Sequence, residues 1–176
     1  IEAIKYARKN KIPFLGICYG MQMAIIEFAR NKLNIKKATS SEFDKNGTPV
    51  IGLITEWIKD GRIIKGTDKN LGGTMRLGSY EAKLKDNSLI KKIYGKKLIE
   101  ERHRHRYEVN INFREKFEKN GMFFSGLSPN GMLPEIIELK NHPWFVGVQF
   151  HPEFKSRPLA PHPLFSSFIK ASKNHK

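Results

Sequence analysis

The sequence predicts a single α/β domain: a mostly parallel or mixed central sheet flanked by helices, carrying a nucleophile on a sharp strand-to-helix turn. Three observations carry that expectation. Residues 12–17 (IPFLGI) are a short apolar run that stops at Cys18, and the segment that follows sets Met21, Ile25 and Phe28 at helical spacing. Residues 144–150 (WFVGVQF) are a second, nearly all-apolar run leading straight into His151-Pro152-Glu153. Between the two, strand-like runs alternate with short helices, and no internal repeat or low-complexity linker divides the 176 residues.

The elements follow in order. Ile1, Ile4 and Ala7 lie on one face of an opening helix. The run 12–17 reads as a buried strand, and the helix after it extends to Arg30. Residues 31–41 read as a polar connector, and 50–54 (VIGLI) as a strand. Residues 61–66 look like a short strand between glycine turns. The glycine-rich run 70–78 lacks the G-K-[ST] ending of a phosphate loop, so it reads as a turn into the next strand. Asn87-Ser88 caps a short helix, 89–94, closed by Gly95. In residues 101–108 (ERHRHRYE), period two sets His103, His105 and Tyr107 on one face and Arg102, Arg104 and Arg106 on the other. Asn112 is expected to cap a helix over 113–119. Strands are expected over 122–126, 133–139 and 144–150, the last central in the sheet, and an amphipathic helix over 164–171 closes the chain.

The chemistry is expected at two of these junctions. Gly16-x-Cys18-x-Gly20 is the cysteine form of a nucleophile elbow: the glycines let backbone cross closely, and a lone side chain projects from the carboxyl edge of the sheet. The helix that follows points its N-terminal dipole at the sulfur, an arrangement that favours thiolate. A nucleophilic thiol needs a base, and the base needs an orienting acceptor. If the strand before Cys18 and the strand before His151 are parallel neighbours, both side chains meet above one sheet edge. Pro152 then fixes the backbone so that the Glu153 carboxylate reaches back to the imidazole. Arginines on one face of 101–108 are suited to clamping a carboxylate.

The bulk composition bounds the alternatives. One cysteine forbids an internal disulfide and fits a reducing, cytoplasmic setting; no run is long and apolar enough for a membrane span. The net charge of +15 invites a nucleic-acid reading through Arg102, Arg104 and Arg106. The 23 lysines are scattered, however, and with 12 Asn and 19 Ile they match a bias from AT-rich codons; solvated lysine faces are expected. His103 and His105 have no Cys or Asp close in sequence, so no metal site is expected.

The GICYGMQ elbow paired with QFHPEF resembles the class I (triad) glutamine amidotransferases. Six further stretches are similar to the C-terminal glutaminase domains of CTP synthases: FARN at 28–31, SEF at 41–43, LITEW at 53–57, LGGTMRLG at 71–78, ERHRHRYEVN at 101–110 and NHPWFVGVQFHPEF at 141–154. The resemblance implies that Cys18 attacks the side-chain amide of L-glutamine to form a thioester and release ammonia. His151 is then the acid/base and Glu153 its orienting carboxylate. It also implies that the Tyr19 N–H stabilises the oxyanion, and that Gln22, Glu42 and Arg106 hold the substrate, Arg106 on its α-carboxylate and Glu42 on its α-ammonium. No cofactor is implied in this domain. ATP, Mg and UTP belong by resemblance to a synthase (amidoligase) domain, expected upstream together with a glycine loop holding a second oxyanion donor. GTP is implied as activator, and a homotetramer for the full-length enzyme. One position departs: Tyr19 stands where that family usually has Leu, and is more typical of GMP synthetase glutaminases, the alternative within the same fold.

Overall fold

The computed structural model describes residues 1–53 and 75–175. The end of the strand expected at 50–54, the strand expected at 61–66, and most of the glycine-rich run from Asn70 lie outside those residues, as does most of LITEW.

Helix α1 (Glu2–Lys9) leads into β1 (Phe14–Ile17) and α2 (Tyr19–Asn31). Two strands follow, β2 (Ala38–Ser40) and β3 (Thr48–Leu53), then β4 (Arg76–Leu84), α3 (Leu89–Tyr94), β5 (Leu98–His105) and β6 (Tyr107–Val109). The chain closes with α4 (Arg114–Lys119), β7 (Met122–Leu127), β8 (Pro134–Leu139), β9 (Phe145–Val148) and α5 (Pro163–Lys173). The main sheet is six-stranded and mixed, in the order β1-β9-β8-β7-β4-β5; a second sheet runs β2-β3-β6. Parallel pairing joins β1 to β9, from Phe14↔Phe145 to Ile17↔Val148, and β2 to β3. The condition set for the two strands, that they be parallel neighbours, is therefore met, and β9 is flanked on both sides with all four residues buried.

Period two sorts the main sheet between two cores. Ile137 and Phe145 face a core shared with α2, α4 and the small sheet, while Ile136, Val146 and Val148 face one shared with α3 and α5. Helix α2 packs against both sheets, which is why eight of its residues are buried rather than a single stripe. Its Glu27, fully buried, accepts two bonds from Arg8 of α1 at 2.8 and 2.6 Å.

Local signals held where a side chain or a backbone angle decides. Ser88 accepts from the Lys91 N–H and Gly95 adopts the left-handed conformation, as expected of cap and stop. The stretch 31–41 is not all connector, because Ala38–Ser40 forms the buried β2, its Thr and Ser concealing the strand. The cap expected at Asn112 belongs to Asn110: its side chain accepts from the Asn112 N–H and starts a 3-10 turn that α4 continues.

Candidate active site

Cys18 stands between β1 and α2 with φ 48°, a left-handed conformation rarely taken by a residue with a Cβ. Its N–H donates to the Val148 carbonyl at 2.7 Å, so β9 holds the turn from beside. The two flanking glycines serve unequal roles. A Cβ on Gly16 would lie 2.8 Å from the Gly20 carbonyl carbon and 2.9 Å from the Met21 nitrogen, backbone that cannot yield; a Cβ on Gly20 meets nothing within 4 Å. Gly16→Ala is expected to cost about 2–3 kcal/mol and open the elbow. Gly20→Ala, in the first turn of α2, is expected to change stability by less than about 1 kcal/mol. Thermal unfolding of the two variants checks the asymmetry, and equal losses would contradict it.

His151 follows β9 closely. The main sheet curls far enough that the His151 N–H donates to the Arg102 carbonyl on the opposite edge strand, β5, at 2.8 Å. Nδ1 lies 2.6 Å from Glu153 Oε1, and the ring stacks on Phe154 at 5.2 Å. A carboxylate only accepts, so Nδ1 carries the proton and Nε2 is left as the basic nitrogen. Nε2 is buried and has no hydrogen-bond partner among the described residues. The sequence-expected orientation of His151 by Glu153 is therefore present, while the bond from Nε2 to the sulfur is not formed in this state. Catalytic hydrogen bonds often tighten only when substrate binds.

A cavity of about 430 Å³ is lined by Cys18, Tyr19, Gln22, Glu42, Met75, His105, Arg106 and Tyr107. It gathers five of the seven sequence-predicted site residues from three separate places: the elbow, the turn after β2, and the bend between β5 and β6. His151 and Glu153 are outside that lining, although the Glu153 charge acts on the sulfur. Arg106 does not continue the exposed face of β5 with Arg102 and Arg104; the strand ends at His105, and the bend turns Arg106 into the cavity. That break takes Arg106 out of the row that Arg102 and Arg104 form on the exposed face. Gln22 is 4% exposed, and its amide is engaged with protein, donating to the Tyr107 carbonyl at 2.9 Å.

The expected thiolate is corrected. Burial pushes the Cys18 thiol up to about 11, beyond what the Tyr19 N–H and Gln149 recover, and Glu108 and Glu153 add repulsion. At neutral pH the sulfur is therefore a thiol, and a base would have to take its proton before it could act as a nucleophile. Sequence reasoning also missed Gln149, and a buried circuit behind His105. Arg76 reaches Glu108 Oε1 at 3.1 Å and Glu135 Oε1 at 2.8 Å. His105 Nδ1 lies 3.5 Å from Glu108, His105 and His103 share a 2.8 Å bond, and His103 Nε2 lies 3.7 Å from Glu135. A larger cavity, about 590 Å³, surrounds Tyr94, Glu101 and His162, but those polar groups bond one another. Among the described residues no helix is long and apolar enough to cross a membrane.

Comparison with known proteins fits this geometry. The chain is 84% identical over 176 residues to the CTP synthase of Pelagibacter ubique, covering all of this chain and 33% of that one. It is 61% identical over 173 residues to the CTP synthase of Zymomonas mobilis, covering 98% of this chain and 32% of that one. The chain thus spans about a third of the length of these curated relatives. Among solved structures, the glutaminase domain of Trypanosoma brucei CTPS with bound acivicin superposes with a TM-score of 0.85 at 34% identity, covering 99% of this chain and 65% of that one. Residues 1–171 match the model of the class-I glutamine amidotransferases, and the chain belongs to that family.

Proposed function

We propose that this chain is a glutaminase domain over residues 1–176 and that it supplies ammonia to a CTP synthase, for the ATP-dependent amination of UTP. The observation that carries the reading is one cavity in which Cys18 meets Tyr19, Gln22, Glu42 and Arg106. L-Glutamine fits it by charge: Arg106 pairs with the α-carboxylate, Glu42 with the α-ammonium, and the side-chain amide reaches the sulfur. His151 Nε2 takes the thiol proton as the sulfur attacks the amide carbon, and Glu153 steadies the imidazolium. The Tyr19 N–H, at the start of α2, stabilises the oxyanion. As the tetrahedral adduct collapses, the C–N bond breaks, and His151 returns its proton to the departing nitrogen as ammonia leaves. Water, activated by the same imidazole, attacks the thioester; the C–S bond breaks, releasing glutamate and restoring the thiol.

A diazo-ketone analogue of norleucine tests the assignment. It should alkylate Cys18 once, as read by mass spectrometry of the digested protein, with glutamine or acivicin in the medium protecting the thiol. Labelling that is absent, or indifferent to glutamine, would count against the reading.

A further inference from the structure

Gln149 is fully buried one residue beyond β9, and its N–H donates to the Glu135 carbonyl at 2.9 Å, so its backbone is held against β8. Its side-chain Nε2 donates to Cys18 Sγ at 3.7 Å. Which end of an amide faces which neighbour must be read from the network, and here the network has one solution. The Tyr107 carbonyl can only accept, so the Gln22 atom 2.9 Å from it is its NH2 group. The same NH2 lies 3.3 Å from Gln149, which therefore presents its oxygen there. That leaves the Gln149 NH2 directed at the sulfur, and flipping either amide would set donor against donor or acceptor against acceptor.

We propose that Gln149 is a further catalytic residue, a fixed N–H donor dedicated to the Cys18 sulfur throughout the cycle. The proposal rests on the glutaminase reading of Cys18. The need for such a donor comes from a conflict of duties. In the resting site the Tyr19 N–H favours negative charge on the sulfur beside it. In the tetrahedral adduct that same N–H is required by the carbonyl oxyanion. When it moves to the oxygen, Gln149 remains on the sulfur, its orientation locked by Gln22. The donor matters twice: when the S–H proton passes to His151 and negative charge develops on sulfur, and when the C–S bond of the thioester breaks and its electron pair returns to sulfur. Burial alone opposes both events, since it disfavours a charged sulfur.

The test replaces Gln149 by Leu, and separately by Met, which keeps an unbranched side chain; neither can donate. Iodoacetamide alkylation of Cys18 at fixed pH near neutrality reads the thiolate fraction without requiring glutamine turnover. The expected result is an alkylation rate about tenfold below that of the unsubstituted chain, equivalent to roughly one unit of thiol pKa. Glutamine kcat should fall by a similar factor, with KM within about threefold, because the loss is in the transition state. Unfolding gives the opposite sign: an exposed cysteine titrates near 8.5 and would alkylate faster. If the Leu variant behaves that way, the Met variant is read instead. Alkylation within about twofold of the unsubstituted rate in a variant with an unchanged thermal midpoint overturns the proposal. Failure of the glutaminase reading is distinguishable, since it would appear as absent glutamine turnover and absent diazo-ketone labelling in the unsubstituted chain.

Discussion

Cys18→Ser is expected to lower glutamine hydrolysis by roughly four to six orders of magnitude, the scale on which removal of a triad nucleophile acts, while leaving the fold in place. The substitution exchanges one atom at the tip of the elbow. The strained φ of 48°, the 2.7 Å bond from the residue 18 N–H to the Val148 carbonyl, and the glycine crossing at Gly16 all belong to the backbone. What changes is the atom proposed to attack. A hydroxyl is harder to deprotonate than a thiol, and it inherits the burial that already pushes the thiol up to about 11. The measurement pairs hydrolysis rate with thermal midpoint. In a full-length enzyme joined to a synthase domain, free ammonia should still support product formation. Retention of more than about a hundredth of the glutamine-dependent rate would remove Cys18 from the nucleophile's role.

How much of this was legible beforehand follows from how local each signal is. The elbow is written in adjacent residues, Gly16, Cys18 and Gly20, and His151 with Glu153 spans a single turn, so short-range sterics specify both. The parallel pairing of β1 with β9 was only a condition of the reading: the apolar run of β9 is fully buried as expected, whereas β1, read as a buried strand, is an edge strand and mostly half-buried. Arg106 was found by resemblance, yet its distinction from Arg102 and Arg104 depends on where β5 ends, which period two alone does not reveal. The balance at the sulfur was misjudged for a physical reason. The dipole of α2 and the Tyr19 N–H are visible in sequence, but the depth of burial that outweighs them is a property of the assembled core. Least legible was the charge circuit: Arg76 comes from β4, His103 and His105 from β5, Glu108 from β6 and Glu135 from β8. A single sequence does not give the curl that brings four strands' side chains to one point.

That circuit sets the second large expectation: Arg76→Met should destabilise the chain by about 3–5 kcal/mol, the cost of leaving buried charge without its partner, or roughly 6–20 °C in thermal midpoint at this size. Glu108 and Glu135 are fully buried, and Arg76 bridges them. The histidines supply no replacement charge. Burial first, and then the field of Arg76, hold His103 down to about 2 and His105 down to about 3, so both are neutral. Glu108 is pushed up to about 8 by burial, against the pull of Arg76 and with Glu135 adding repulsion. The sign follows from linkage. An acid raised above its ordinary 4.5 holds its proton better folded than unfolded, so its contribution is full below 4.5 and is lost as pH rises through about 8. The lowered histidines act in the other direction: their contribution is present above 6.5 and is lost as pH falls toward 3. Without Arg76 the two carboxyls must stay protonated to remain buried, so the variant's deficit should widen from about pH 6 to about pH 8.5 as protonation becomes harder. Adding Glu108→Gln and Glu135→Gln to Arg76→Met removes the buried acids that lack a partner and should recover most of the loss. Thermal unfolding across that pH range measures both effects. A deficit below about 1 kcal/mol, or one that does not change with pH, would mean that the circuit does not carry charge in the folded chain.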